Sequence, residues 1–291
     1  MEYVTAKTIV NKTKNTAWFG TEYNMNIYRG CCHGCIYCDS RNDCYRIDSF
    51  DTVRAKEDAL RIIRDDLRRK VRKGVVATGA MSDPYNPFER ELELTRHALE
   101  LLYSFGFGVA IDTKSDLITR DIDILKYIKK TAPTLCKITV TTADDDLCRY
   151  IEPHAPTPSS RFAALNKLSE NGIYAGILLM PLLPFINDTA ENVLAIVRAA
   201  NENGARFIHP AFGVTLRGNQ RAYFYSKLKP STREKYIAEF GDRYNCSSPN
   251  SKALYNTFRN ECERLGILYN MKDIVKSYKL GYESQQLKFF D

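Results

Sequence analysis

The sequence contains little of what several common protein classes require. It has only four histidines, and no Cys-x2-Cys or His-x3-His pair follows the first 40 residues, so a tetrahedral zinc site lacks half of its ligands. It has no run of about 20 apolar residues, and no membrane span is predicted. No apolar signal core follows Met1-Glu2-Tyr3, and we therefore expect a cytoplasmic protein that does not associate with membranes.

Composition indicates a soluble globular protein in a reducing compartment. The chain has 291 residues and is 44% hydrophobic, which is enough to bury one large core. Its nine cysteines are an odd number, and several lie in one short segment. This distribution favours a metal cluster over a framework of disulfides.

The most informative motif is Cys31-x3-Cys35-x2-Cys38, which follows the strand-like run 23–28. A four-iron cluster usually binds four thiolates. A loop that supplies three would leave one iron open to a small molecule, so the motif predicts a catalytic cluster.

Two other interpretations of these cysteines are open. Cys32-x2-Cys35-x2-Cys38 is similar to the start of a ferredoxin motif, but Asn42 occupies the position of the fourth cysteine. The pair Cys35-x2-Cys38 alone would suit a redox dithiol or half of a zinc site.

The pattern along the chain predicts an α/β fold. Short β-branched runs alternate with helical patterns at intervals of about 30 residues, the length of one βα unit. Six units are visible, two fewer than a closed eight-stranded barrel needs, so we predict a partial (β/α)6 TIM-like barrel with a C-terminal extension. The predicted domains are an N-terminal arm (1–20), the barrel (21–212) and the extension (213–291), which would cover the substrate. The predicted strands are Tyr23–Arg29, Val75–Gly79, Phe107–Thr113, Lys137–Thr142, Tyr174–Met180 and Arg206–Ala211.

Three segments together resemble one known family. They are Asn26–Cys38, in which Tyr37 precedes the third cysteine of the motif, then Ser82-Asp83-Pro84-Tyr85, and Thr113-Lys114-Ser115. The chain resembles the spore photoproduct lyase-like branch of the radical S-adenosylmethionine superfamily. The resemblance implies a [4Fe-4S] cluster on Cys31, Cys35 and Cys38, S-adenosylmethionine on the fourth iron, and an electron donor such as flavodoxin or ferredoxin.

Candidate cofactor contacts lie where the predicted strands end. Gly79, Ser82 and Asp83 occupy the place at which the superfamily binds the methionine amino group, although Ser-Asp-Pro is also an ordinary turn before a helix. Lys114 would neutralise the methionine carboxylate as a point charge, or it is a surface lysine. Three further candidate contacts are Tyr37, Thr141, whose hydroxyl would bind the ribose, and Arg161, a second partner for an anion.

One difference from the lyase concerns its hydrogen-donating cysteine. The resemblance places that cysteine where this chain has Ala80, so we do not expect repair of spore photoproduct by the lyase's route. Cys246 and Cys262, in the extension, are either buried structural thiols or replacements for the missing hydrogen donor.

The distribution of charge suggests where a polyanion would bind. The net charge is +7, and the extension, with 14 Lys and Arg against 8 Asp and Glu, supplies +6 of it. The extension begins with basic and aromatic side chains that would suit phosphates and bases, so a nucleic acid is a candidate substrate; they are Arg217, Arg221, Tyr223, Phe224, Tyr225 and Lys227. The basic run 64–73 ends a predicted helix at the opposite end of the barrel, and we expect it to be a solvated face.

Overall fold

Parallel β-strands form the centre of the fold in the computed structural model, which describes residues 1–282. The strands are β1 (Glu2–Val4), β2 (Val10–Lys12), β3 (Tyr23–Met25), β4 (Tyr28–Arg29), β5 (Arg54–Lys56), β6 (Val75–Thr78), β7 (Gly108–Thr113), β8 (Thr134–Thr139), β9 (Tyr174–Leu179), β10 (Ile208–Pro210), β11 (Gly213–Thr215) and β12 (Asn245–Ser247). The main sheet has the order β10-β9-β8-β7-β6-β3-β2. Its first six strands in this order are parallel, and β2 is antiparallel to β3.

This topology confirms the predicted partial barrel of six parallel strands. The sheet of residues 1–282 does not close on itself, because its two edges are β10 and β2. Two small sheets lie beside it, one formed by β1, β5 and β4 and the other by β11 and β12.

Helices pack around the sheets, and several of them cover the outer face of the main sheet. The helices are α1 (Ala59–Arg68), α2 (Glu89–Leu92), α3 (Leu94–Ser104), α4 (Ile122–Thr131), α5 (Asp145–Ile151), α6 (Pro158–Glu170), α7 (Ala190–Glu202), α8 (Gly218–Lys227), α9 (Pro230–Phe240), α10 (Ser251–Leu265) and α11 (Met271–Lys279). Alternate strand residues such as Val109 and Ile111 belong to the main hydrophobic core together with the helices. Because successive side chains of a strand point to opposite faces, Ala110 and Asp112 point into the barrel. No helix among residues 1–282 has the length and apolar character needed to cross a membrane.

The predicted bounds of several strands are wrong, most clearly those of the first and the fourth. The run 23–29 is not one strand, because Met25 ends β3 while Tyr28 pairs with Ala55 in a different sheet. The fourth parallel strand begins at Thr134 instead of Lys137, since the bonding of β8 to its neighbour β7 already starts with the pair of Thr134 and Val109.

The two terminal segments complete the barrel. In the predicted arm 1–20, the backbone amides of Ile9 and Val10 donate to Asp66 at 2.7 and 2.9 Å, and Phe19 is fully buried. From the other end of the chain, the Tyr278 hydroxyl in α11 donates to the Phe19 carbonyl at 2.6 Å. Both segments therefore pack as part of the barrel core, and the domain boundaries stay predictions.

Candidate functional site

The cysteine loop, residues 31–38, leaves β4 at Gly30. A Cβ atom at Gly30, whose φ is +81°, would lie 2.3 Å from the Thr52 carbonyl oxygen, so only glycine fits there. The Cys31 amide donates to the Phe50 carbonyl at 2.8 Å, and the Ile36 amide donates to the Ile151 carbonyl at 3.0 Å. The loop is thus fixed at both ends by backbone hydrogen bonds to distant parts of the chain.

Cys31, Cys35 and Cys38, which we call the loop cysteines, are free thiols, and Cys35 is buried. Loss of solvent raises the pKa of the Cys31 thiol to about 12. Burial also raises the pKa of Cys35 and Cys38, whereas the Lys114 ammonium acts in the opposite direction on both. A cation beside two of the three thiols favours the thiolate form that binds iron.

The donor set fits a cluster better than a single ion. Among residues 1–282, no group of three His, Cys, Asp or Glu side chains is placed to bind one metal ion. In a four-iron cluster each thiolate binds a different iron, so the loop cysteines need not converge on one point. Cys32 is half-buried, and Cys44 is exposed in the second of two 3-10 turns that follow the loop.

Lys114 follows β7 and lies beside the cysteine loop. Its Nζ is 5.7 Å from the centroid of the Tyr37 ring. Desolvation opposes the charged form, but the neighbouring Cys35 and Glu152 raise the pKa of Lys114 above its usual value. The side chain is therefore a cation in the site, and its contact with a cofactor stays a prediction.

Asp83 joins three parts of the site. Its carboxylate accepts hydrogen bonds from the Thr113 hydroxyl at 2.6 Å, the Lys114 amide at 2.8 Å and the Tyr85 amide at 2.9 Å. The His33 ring nitrogen lies 3.5 Å away. The bond from the Tyr85 amide belongs to the turn that Ser-Asp-Pro predicts. The bonds from Thr113 and Lys114, together with the contact with His33, connect the end of β7 to the cysteine loop.

The neighbours of Asp83 have equally close contacts. The Ser82 hydroxyl donates to the Gly30 carbonyl, at the start of the cysteine loop. Gly79 has a φ of +102°, and a Cβ atom there would lie 1.9 Å from the Asp112 carbonyl oxygen. The segment that was predicted to bind the methionine amino group therefore packs directly between the cysteine loop and β7.

Glu152 is a site residue that the sequence did not reveal. It is completely buried and accepts hydrogen bonds from the Tyr37 and Thr141 hydroxyls, and it forms a salt bridge with Arg161. Burial works against ionisation, but the cations of Arg161 and Lys114 hold the pKa of Glu152 down to about 2. A glutamate that follows a surface helix carries no sequence signal of this role.

These contacts explain the positions of the Thr141 and Arg161 side chains. The Thr141 hydroxyl points to Glu152 at 3.1 Å. Arg161 is fully buried, and besides Glu152 its guanidinium donates to the Thr139 carbonyl at 2.9 Å and to the Pro156 carbonyl at 2.7 Å. The anion that Arg161 binds in this structure is thus a carboxylate of the same chain, and both residues contact the cysteine loop through Glu152 and Tyr37.

A cavity of about 600 Å³ opens beside the loop at the carboxyl ends of the strands. Its volume lies in the range of small-molecule sites. Ala80 lies in its wall, as does Cys246, whereas Cys262 packs in the main core. The cavity is lined by Tyr37, Cys38, Asp39, Ser40, Tyr45, Ala80, Met81, Met180, Pro181, Ala211, Phe212, Gly213, Val214, Thr215, Asn245, Cys246 and Ser247.

The extension forms one side of this cavity and is bonded to the cysteine loop. The Gln220 side-chain amide donates to the Tyr37 carbonyl at 3.1 Å, and the Arg217 guanidinium bonds Asp39 at 2.8 Å. The Arg221 guanidinium donates to carbonyl oxygens of Leu216, Asp242 and Arg243 at 2.7 to 2.9 Å. Both arginines therefore bind acceptors of their own chain.

Comparison with known proteins gives consistent results. The profile of the radical SAM superfamily matches residues 25–200. An uncharacterized protein of Mycobacterium tuberculosis is 31% identical over 231 residues, 76% of this chain and 67% of that protein. An uncharacterized protein of Methanocaldococcus jannaschii is 32% identical over 188 residues, 64% of this chain and 68% of that protein.

Solved structures show the same fold at low sequence identity. Spore photoproduct lyase with bound dinucleoside spore photoproduct superposes with a TM-score of 0.66 at 14% identity, covering 90% of this chain and 79% of the lyase. A radical S-adenosylmethionine methyltransferase from Kitasatospora setae superposes with a TM-score of 0.53 at 13% identity, covering 86% of this chain and 52% of the methyltransferase.

Proposed function

The chain belongs to the radical SAM superfamily and is an enzyme, and from this premise we propose that it cleaves S-adenosylmethionine reductively at a [4Fe-4S] cluster. The observation that carries the proposal is the position of the loop cysteines. One loop brings three free thiols to the carboxyl ends of the strands, beside a cation and a cavity of about 600 Å³. When bound, the cluster and S-adenosylmethionine supply a 5'-deoxyadenosyl radical that abstracts hydrogen from a substrate.

Each loop cysteine would bind one iron as a thiolate, and the fourth iron would stay open to S-adenosylmethionine. Lys114 would bind the methionine carboxylate, because its ammonium lies beside the Tyr37 ring of the cysteine loop and its charge acts on both Cys35 and Cys38. The segment Gly79–Asp83 would bind the amino group. Its packing between the cysteine loop and β7 supports this assignment.

The rest of the site orients these groups and excludes water. Glu152 fixes the Tyr37 ring, and Tyr37 lines the cavity. The strands β11 and β12 of the extension form the opposite wall, so a substrate in the cavity would be enclosed between the barrel and the extension. Enclosure protects a reactive radical from side reactions.

The substrate itself is a separate proposal. Ala80 lines the cavity, so the site has no thiol at the position of the lyase's hydrogen donor, and we propose a reaction other than repair by the lyase's route. A nucleic-acid substrate would need cations other than Arg217 and Arg221, since both bind acceptors of their own chain. Binding of single-stranded DNA or RNA that weakens steeply with salt would support it.

The test separates this enzyme from an iron–sulfur electron carrier without chemistry of its own. Protein reconstituted anaerobically is mixed with dithionite and S-adenosylmethionine, and the products are analysed by chromatography. We expect methionine and 5'-deoxyadenosine in equal amounts. A reducible cluster that leaves S-adenosylmethionine intact would instead support the electron carrier.

A further inference from the structure

A second depression, of about 480 Å³, lies against the other side of the cysteine loop, and we call it the outer depression. Cys32, Gly34 and Ile36 line it, whereas Tyr37 and Cys38 line the cavity described above. The residues on either side of Cys35 in sequence therefore belong to the outer depression. Only the thickness of one loop separates this surface from the loop cysteines.

The rim of the outer depression is positively charged. Lys227 lines it, and the Lys227 Nζ is 5.3 Å from the Tyr223 ring centroid. Two residues on, the Lys229 Nζ is 5.7 Å from the Tyr150 ring centroid. Both lysines are exposed, and within residues 1–282 neither forms a salt bridge.

The one carboxylate of the lining is already neutralised. Arg41 binds Asp51 with both terminal nitrogens, at 2.8 and 2.5 Å, and its guanidinium stacks on Tyr223 with 3.7 Å between Cζ and the ring centroid. The charges left over are the two lysines. Aromatic rings flanked by unpaired cations form a surface suited to an acidic protein.

The rim is held rigidly to the loop. The Tyr150 hydroxyl donates to the Lys227 carbonyl at 3.0 Å and accepts from the Lys229 amide at 3.2 Å. The His154 amide donates to the His33 carbonyl at 3.0 Å. The backbone that carries both lysines is therefore bonded to Tyr150, and His154, which also lines the outer depression, is bonded to the cysteine loop.

We propose that the outer depression is the docking surface for an acidic one-electron donor protein of the flavodoxin or ferredoxin class. This proposal rests on the proposed function, because reductive cleavage consumes one electron that has to enter from outside. The donor loses one electron and the cluster gains it, and no bond of the protein forms or breaks. The donor approaches from the side of the loop that faces away from the residues lining the substrate cavity.

The test is the double charge reversal K227E/K229E in the reconstituted protein. Its matched control is K126E/K130E, which makes the same change of charge on two exposed lysines of α4, where the Lys130 Nζ is also 5.0 Å from a tyrosine ring centroid. Three quantities are measured at low ionic strength: the dissociation constant of oxidised flavodoxin by calorimetry, the rate of cluster bleaching by reduced flavodoxin, and the rate of bleaching by dithionite.

We expect K227E/K229E to weaken flavodoxin binding and slow bleaching by flavodoxin about tenfold or more, with bleaching by dithionite unchanged. The control should match the wild type in all three. Equal losses in the two variants, or unchanged flavodoxin binding in K227E/K229E, would overturn the docking surface. Binding of single-stranded DNA is measured in the same variants, and its loss together with normal reduction by flavodoxin would also overturn the docking surface and assign it to a nucleic acid. Failure of the wild type to form 5'-deoxyadenosine with dithionite contradicts the proposed function instead.

Discussion

The substitution Glu152→Gln tests the buried network under the cysteine loop. It keeps the size of the side chain and removes the charge that pairs with Arg161. The pKa of Glu152 falls from 4.5 to about 2 in the folded protein, and one pKa unit corresponds to about 1.4 kcal/mol. The charge therefore contributes about 3 kcal/mol to the free energy of unfolding, in agreement with the about 3–5 kcal/mol lost when one partner of a buried ion pair is removed.

The pH dependence of this contribution has a definite sign. A carboxyl group whose folded pKa is depressed stabilises the protein above its unfolded pKa, and the contribution is lost as pH falls toward the folded pKa. The difference in unfolding free energy between wild type and Glu152→Gln should thus be constant near neutral pH. It should shrink between about pH 4.5 and about pH 2.

Urea unfolding of the metal-free protein, followed by circular dichroism, measures both effects. The control is Glu170→Gln, at an exposed position on α6, where we expect a change of no more than about 0.5 kcal/mol. A loss below about 1 kcal/mol for Glu152→Gln, or a loss that grows as the pH falls to 4, would refute the assignment of a buried, charged Glu152.

Three further predictions concern the site. Replacing any loop cysteine by Ala should abolish the brown colour of the reconstituted protein or its cleavage of S-adenosylmethionine, whereas Cys32→Ala should retain most of both; the reverse pattern would show that the register is wrong. Lys114→Ala should raise the dissociation constant of S-adenosylmethionine about tenfold or more, from the loss of about 1.5–3 kcal/mol in a charge-assisted contact. An unchanged constant would show that Lys114 does not contact the cofactor. Once a substrate is known, the Cys262→Ala variant should turn it over normally, because Cys262 lies in the core. Cys246 lines the cavity, and normal turnover by the Cys246→Ala variant would exclude Cys246 as the hydrogen donor.

The sequence predicted the barrel because its strands are short, β-branched and evenly spaced, and these are local properties. The strand prediction failed where a strand pairs with a segment that is distant in the sequence. Tyr28 looked like a continuation of the first strand, but it pairs with Ala55 in another sheet, and a sequence run does not show where a chain turns out of a sheet. The cysteine motif could be recognised from the sequence for the opposite reason, since the loop cysteines lie within eight consecutive residues.

The role of Glu152 could not have been predicted from the sequence. Its partners are Arg161, nine residues later, and Tyr37 and Lys114, which are brought to it only by the barrel. In the sequence it is one of many glutamates. Its charge state depends on burial, and burial depends on the complete fold.

The extension shows that the charge of a segment does not by itself identify a binding surface. Arg217 and Arg221 were predicted to meet phosphates because they stand among aromatic residues. A guanidinium binds any planar or paired oxygen acceptors, and here these are Asp39 and carbonyls of the same chain. Two lysines farther along, Lys227 and Lys229, have no such acceptors among residues 1–282. Composition assigns the same charge to all four residues, and only the contacts separate the two arginines, which bind acceptors of their own chain, from the two lysines, which do not.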